Sequence, residues 1–409
     1  MGTTVIVGAS VGGVRAARAL RSAKYDGEIV LVGDEPGLPY DRPPLSKALL
    51  AGSMSHEDIL LLTAEQAAAA DIRLMLGHSA TRLDLTGRAV ELAGGERLPF
   101  DDLVIATGAR PRPSPWGMPR GVHVLRTLDD AVALGADLRR GGPVVIIGAG
   151  FIGAEVAATA RGMGVDHVTV VDPVPVPLSR VLNPAIAELF GRLHDNRGVT
   201  TRFGVGVSGI DTDGDELLVR LSDESVLPAA TVLVGIGAVP NDEWLAGSGL
   251  TVDDGVICDR YSRAQGAPFV HAVGDVARWM HPRYQRLVRT EHWTNAVEQA
   301  GCVAHNIVHP DDLREHGPVE YVWSDQYDWK IQLAGRTGGT LAHTVIPGAN
   351  PDRSFAVLYA DPGGGFAGAV TVNWPRALVA CRRALGTATT LDAVEEMVTA
   401  ARKPRVAPS

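Results

Sequence analysis

VVIIGAGFIGAEVAATARGMGVDHVTVVD, residues Val144 to Asp172, decides how this chain folds. The β-branched run Val144–Ile147 ends in Gly148-Ala149-Gly150-Phe151-Ile152-Gly153. Small residues at helical spacing follow from Ala154 to Gly164. A second β-branched run, Val168–Val171, stops at Asp172. This is the pattern of a strand–turn–helix–strand unit that binds a dinucleotide. Gly148 permits the tight turn, Gly150 lets backbone N–H groups approach a pyrophosphate, and Gly153 lets helix and strand pack closely. The helix N-terminus faces the phosphates. Asp172 is placed to accept hydrogen bonds from the hydroxyls of an adenosine ribose.

The same unit occurs earlier. Thr3–Val7 reads as a strand, Gly8-Ala9-Ser10-Val11-Gly12-Gly13 as its loop, Val14–Ser22 as a helix and Ile29–Val32 as the second strand. Ser10 stands where the second glycine is expected, and its small hydroxyl could itself contact phosphate. The ribose acid is Asp34 or, one residue on, Glu35. The repetition extends further. Leu103–Ala109, containing Thr107 and Gly108, reads as a buried strand about a hundred residues past its loop. Thr231–Asn241, containing Gly237, repeats it.

Between these landmarks lies Pro39–Lys47, a proline-stiffened loop with two cations, Arg42 and Lys47. They read either as partners for pyrophosphate and an electron-rich ring or as solvated charges. Phe269–Asp275 is an apolar strand ending on an acid at the carboxyl edge of a sheet, where ligands bind. Asp275 reads as a hydroxyl ligand or as a helix N-cap. Arg289 to Asn306 reads as helical. From about Gly317 the pattern changes: Tyr321–Leu333, Thr340–Ile346, Phe355–Ala360 and Gly365–Asn373 read as strands, Leu378–Leu385 and Leu391–Ala400 as helices.

With 409 residues the chain exceeds one compact core, so two or three domains are expected. No apolar run approaches membrane-spanning length, and no signal peptide is expected, which points to the cytoplasm. Cys258, Cys302 and Cys381 are far apart, so neither a metal site nor a disulfide relay is expected. A net charge of −9 disfavours nucleic-acid binding.

Over its full length the sequence resembles the oxygenase-coupled NADH–ferredoxin reductases. The resemblance rests on LVGDEPGLPYDRPPLSK (31–47), LVIATGARP (103–111), IIGAGFIGAEVA (146–157), VHAVGDV (270–276) and WSDQY (323–327). It implies an α/β fold with two Rossmann-like dinucleotide domains of the glutathione-reductase type and a C-terminal α+β domain. An FAD domain would span 1–110 and 237–316, an NADH domain 111–236 and an interface domain 317–409. FAD would lie on Gly8, Ala9, Ser10 and Gly13. Asp34 or Glu35 would take its ribose, Arg42 and Arg126 its pyrophosphate, and Asp275 its ribityl chain. Ala80 and Trp293 would make backbone contacts. Thr107, Gly108, Gly274 and Gly237 are also implied to bind cofactor. Lys47 would sit by the flavin N5 edge, paired with Glu155 beside the nicotinamide. NADH would use Gly148, Gly150, Phe151, Ile152, Gly153 and Asp172.

Two departures stand out. The basic residue usual after the second acid is missing from Asp172-Pro173-Val174-Pro175-Val176-Pro177, leaving Arg180, and Trp293 replaces a residue that is commonly small. The implied activity is transfer of electrons from NADH through FAD to a small iron–sulfur ferredoxin serving a cytochrome P450 or a Rieske dioxygenase. The protein would be a monomer or weak homodimer, with no membrane or nucleic-acid partner. The alternatives are an NADH oxidase-like enzyme, which would need a redox cysteine in the loop 34–47, and a nucleotide-sensing flavoprotein. That loop has no cysteine.

Overall fold

The continuous apolar run that ends Thr3–Val7 is covered on both faces, as a central parallel strand must be. It pairs in parallel with Glu28–Gly33 on one side and Asp102–Ile105 on the other. Ile72–Leu76 and Ala267–Ala272 extend this parallel core outward. Val5, Val7, Leu103 and Ile105 point into one cluster with Phe100 and Trp279. Ile6, Leu31 and Val104 point into the other, with Val14 and Leu20 of helix Val11–Ser22 and Ala300 and Val303 of helix Trp293–Val308. Four further strands complete a nine-stranded sheet. The computed structural model describes residues 2–178, 181–338, 341–387 and 389–402.

Val144–Ile147 repeats the arrangement. It lies between Val168–Asp172 and Thr231–Val234 in a five-stranded parallel sheet, with Val199–Phe203 and Val122–His123 at the edges. Each half also carries a three-stranded antiparallel sheet: Ala80–Asp84, Ala89–Leu92 and Arg97–Pro99 in the first, Val207–Asp213, Glu216–Leu221 and Val226–Ala229 in the second. A five-stranded antiparallel sheet follows, in the order Tyr321–Gln326, Trp329–Gly335, Phe366–Val372, Phe355–Ala360, Ala342–Pro347. One face of it packs on helices Pro375–Leu385 and Leu391–Ala400. The other packs on Ile186 and Phe190 of helix Pro184–Asn196. The fold is thus α/β with two Rossmann-like halves and a C-terminal α+β domain, as the sequence implied.

The chain forms two compact units. One is Met1–Arg42, His56–Arg110 and Ala238–Pro318; the other is Pro43–Ser55, Pro111–Gly237 and Val319–Ser409. Lys47 therefore belongs with the second unit. No helix among the described residues is long and apolar enough to cross a membrane.

Three local expectations are corrected. Tyr321–Leu333 is a hairpin of two strands, because Tyr327 turns the chain with φ of 56°. A side chain there costs roughly 1–2 kcal/mol; the Tyr327 hydroxyl meets His194 Nδ1 at 2.8 Å across the turn. The long strands at 103–109 and 231–241 each break before their glycines. Their ends, Ala109–Pro111 and Ala238–Pro240, pair as a two-stranded ribbon. Thr107 Oγ1 donates to the Asn241 carbonyl at 2.7 Å and Asn241 Nδ2 donates to that of Thr107 at 2.9 Å. Finally, Arg286–Arg289 is a strand, and the helix begins only at Trp293.

Candidate functional site

The two glycine loops are built alike. Gly8 and Gly148 have φ of +117° and +108°, and a Cβ would lie 2.2 Å from the Ala106 carbonyl oxygen or 2.3 Å from that of Gly235. No L side chain fits either place. At Gly13 and Gly153 a Cβ would fall within 2.0 Å of the carbonyl oxygen that opens the loop. Ser10 explains itself: its φ is −112°, a conformation any residue adopts. Gly150 matches it at −75°, and the space where its Cβ would stand is open.

Helices Val11–Ser22 and Phe151–Gly162 have no capping side chain and no acid in the first turn. Thr127 and Asn183, by contrast, cap their own helices. Four N–H groups at a helix start seek acceptors, and the dipole favours negative charge. Both loops therefore fit a pyrophosphate.

The acids differ. Glu35 accepts from the Tyr40 hydroxyl at 2.5 Å and from Arg42 at 3.0 Å, so both its oxygens are engaged. Asp34 is exposed and accepts only its neighbour's N–H, at 3.0 Å, among the bonds described. Asp172 accepts from Ala149 N–H at 2.7 Å and Val174 N–H at 2.8 Å. It is fixed against its own glycine loop. Arg180 lies outside the described residues.

Around the first loop, Gly274 N–H donates to Gln299 at 2.9 Å, and the Asp275 carbonyl accepts from Arg289 at 3.2 Å. Asp275 sits in a single 3-10 turn, Gly274–Val276. Trp293 Nε1 donates to Asp41 at 2.7 Å, and Arg15 lies 5.8 Å from its ring. The bulky indole is thus tied to the 39–47 loop. Ala80 opens its strand opposite Leu92. Arg126 belongs to the second unit, unlike Arg42, and its N–H donates to Asp130 at 2.9 Å. The Gly237 carbonyl accepts from Arg112 N–H at 2.8 Å. Phe151 packs toward the core around Phe190, whereas Ile152 is exposed.

Lys47 and Glu155, 108 residues apart, meet at 2.8 Å. The Glu155 side chain is 4% exposed and that of Lys47 20%. The same Glu155 oxygen accepts from the Ser46 hydroxyl, and the other accepts from Ser324 Oγ at 2.8 Å. Sequence reasoning did not single out Ser46 or Ser324. The available signal was that they lie within the PPLSK and WSDQY motifs.

The cysteines offer no redox pair. Cys258 and Cys381 are buried. Burial pushes the Cys381 thiol up to about 12 and the Cys302 thiol to about 11, and Cys258 is raised as well. A thiol that stays protonated is a poor nucleophile.

Two open glycine loops, each followed by a strand that leads to an acid, fit two dinucleotides. The chain belongs to the pyridine nucleotide-disulphide oxidoreductase family, whose model matches residues 2–300, and a reductase C-terminal model matches 321–401. It is an oxidoreductase that uses FAD and NAD(H). Rhodocoxin reductase of Rhodococcus erythropolis is 39% identical over 94% of this chain and 89% of its own. The ferredoxin–NAD(+) reductase component of an anthranilate 1,2-dioxygenase system from Burkholderia cepacia is 36% identical over 93% of each. A crystal structure of the covalent putidaredoxin reductase–putidaredoxin complex superimposes with a TM-score of 0.89 at 33% identity, covering 98% of this chain and 99% of that one.

Proposed function

We propose that this protein is an NADH–ferredoxin reductase that delivers electrons to a small iron–sulfur ferredoxin serving an oxygenase, a cytochrome P450 or a Rieske dioxygenase. One observation carries the reading. The chain has two uncapped glycine-loop helices, and its three cysteines are all free, so no disulfide within it can receive electrons. The acceptor is therefore external. FAD, when bound, supplies the step from a two-electron donor to one-electron delivery. The similarity to reductases of oxygenase systems along nearly the whole chain supports the same acceptor class.

The first loop (Gly8, Ala9, Ser10, Gly13) holds the FAD pyrophosphate, and exposed Asp34, rather than the engaged Glu35, takes the ribose. Arg42, Arg126, Ala80, Thr107, Gly108, Gly274, Asp275 and Trp293 complete that site in this reading. Gly148, Gly150, Phe151, Ile152, Gly153, Asp172, Arg180 and Gly237 serve NADH. Lys47 supplies a fixed positive charge for hydride transfer, and Glu155 sets where that charge sits. The segments 1–110 with 237–316, 111–236 and 317–409 remain the proposed functional domains. The protein is proposed to be cytoplasmic, a monomer or weak homodimer.

The test is stopped-flow mixing of NADH-reduced holoprotein with a series of iron–sulfur ferredoxins. Rapid reduction of at least one is expected. Slow reduction of all, with a long-lived NAD⁺ complex, would favour a sensing flavoprotein instead.

A further inference from the structure

Glu155 is a buried carboxylate whose two oxygens are served differently. One takes the Lys47 ammonium and the Ser46 hydroxyl. The other takes a single donor among the bonds described, Ser324 Oγ at 2.8 Å. Ser324 is fully buried, and so is Gln326 two residues on, which faces the same side of strand Tyr321–Gln326. Gln326 Nε2 donates to Ser324 Oγ at 3.2 Å. A hydroxyl has one proton. With its oxygen accepting from the amide, that proton is directed to Glu155. On the opposite side, Thr159 Oγ1, one helical turn beyond Glu155, donates to the Ser46 carbonyl at 2.8 Å. This ties the Lys47 segment to the glutamate's helix.

We infer that Ser324 is a positioning residue for flavin reduction: it fixes the Glu155 carboxylate, which fixes Lys47. The C-terminal sheet is thereby part of the hydride-accepting apparatus. Losing the hydroxyl leaves a buried carboxylate oxygen without its donor, a costly state in a low-dielectric interior. The carboxylate then turns toward its remaining donors and the ammonium moves with it. The inference rests on the reading that the Lys47–Glu155 pair acts in flavin reduction.

The experiment is anaerobic single-turnover reduction by NADH over a range of concentrations, in FAD-loaded wild type, Ser324→Ala, Ser324→Thr, Glu155→Gln and the Glu155→Gln/Ser324→Ala double variant. Melting temperature and bound FAD are recorded for each. The expected result is a limiting reduction rate about tenfold lower in Ser324→Ala with an unchanged NADH Kd, since one hydrogen bond to a charged group is worth about a factor of ten or more. Ser324→Thr, which keeps the hydroxyl, should lie within about twofold of wild type. In the Glu155→Gln background Ser324→Ala should cost less than about twofold, and the melting-temperature losses should fall short of additive. If Ser324→Ala fails to hold FAD, Ser324→Cys, of similar size and a weak donor, must show the same rate loss. An unchanged limiting rate, a loss confined to NADH Kd, failure of threonine to rescue, or additivity with Glu155→Gln would overturn the inference. Lys47→Met separates the two failures. If it reduces normally, the reading of the pair falls and the role of Ser324 in reduction falls with it. If it is slow while Ser324→Ala is normal, only the inference falls.

Discussion

The Asp172 carboxylate closes on its own glycine loop, accepting the Ala149 N–H at 2.7 Å. An acid held there leaves little room for a second anion. A 2′-phosphate beside it would be repelled by roughly 1 kcal/mol at about 4 Å in a watery dielectric, and more where water is excluded. The following run, Pro173 to Pro177, supplies no cation. We expect kcat/KM for NADH to exceed that for NADPH by at least about tenfold. Steady-state kinetics with both cofactors check this, and equal values would contradict it.

The first unit presents the same architecture with an exposed acid, Asp34. The purified protein should be yellow and release FAD rather than FMN. Mass spectrometry of the released flavin decides. Asp34→Ala should weaken FAD retention by roughly tenfold, one hydrogen-bonded carboxylate's worth, whereas FMN in the wild type would remove the ribose assignment altogether.

Lys47 is largely enclosed and bonded to a buried carboxylate, so its charge is held in one place. Lys47→Met should slow flavin reduction by NADH by about tenfold or more while FAD stays bound. Rapid-reaction absorbance at the flavin band is the measurement. A normal rate would leave the ion pair with a structural role only.

Acid should destabilise the fold before carboxylates matter. Burial lowers His194 and His271 to about 4 and His316 to about 3. The unfolded chain takes up these protons below its ordinary histidine value of about 6.5, whereas the native state refuses them until pH 3–4. Stability is therefore present above about pH 6.5 and lost as pH falls toward 4, by roughly 2 kcal/mol per histidine at pH 5. Asp102 opposes this: burial raises it to about 6, so it favours the fold on acidification, but one group does not offset three. Melting temperature should fall from pH 7 to 5, and His316→Gln should flatten the slope. A flat profile in the wild type would show that these rings are hydrated.

The overall charge of −9 opposes an acidic ferredoxin, so docking needs local positive surface. Arg278 pairs with Asp253 at 2.7 Å, and Arg289 pairs with Asp254 and Glu291 at 3.1 and 2.6 Å. Exposed basic side chains occur at Arg283 and Arg286 in the first unit, and at Arg376, Arg382 and Arg383 on helix Pro375–Leu385 in the second. Arg283→Glu and Arg383→Glu should raise KM for ferredoxin several-fold and leave a small uncharged acceptor unaffected, and added salt should slow association. Equal loss with both acceptors would place the docking surface elsewhere.

The sequence by itself determined the two nucleotide halves, because their signals are local. Gly8 and Gly148 are required by a φ and a backbone contact within one strand–loop–helix unit, and Asp34 and Asp172 follow at the end of the next strand. Period-two and continuous apolar runs likewise specified the sheets. The sequence did not determine where long runs break. The 103–109 and 231–241 runs break after Ile105 and Val234, and Thr107 and Asn241, 134 residues apart, bond to each other beyond the breaks. Nor did it single out Ser46 or Ser324, since a serine in a loop or a strand carries no pattern until its partner is known. Nor did it show that Tyr40 and Arg42 engage both oxygens of Glu35. Only the tertiary structure decided these points. Each depends on a hydrogen bond between side chains brought together by packing, and a burial that makes that bond necessary is a property of the folded chain alone.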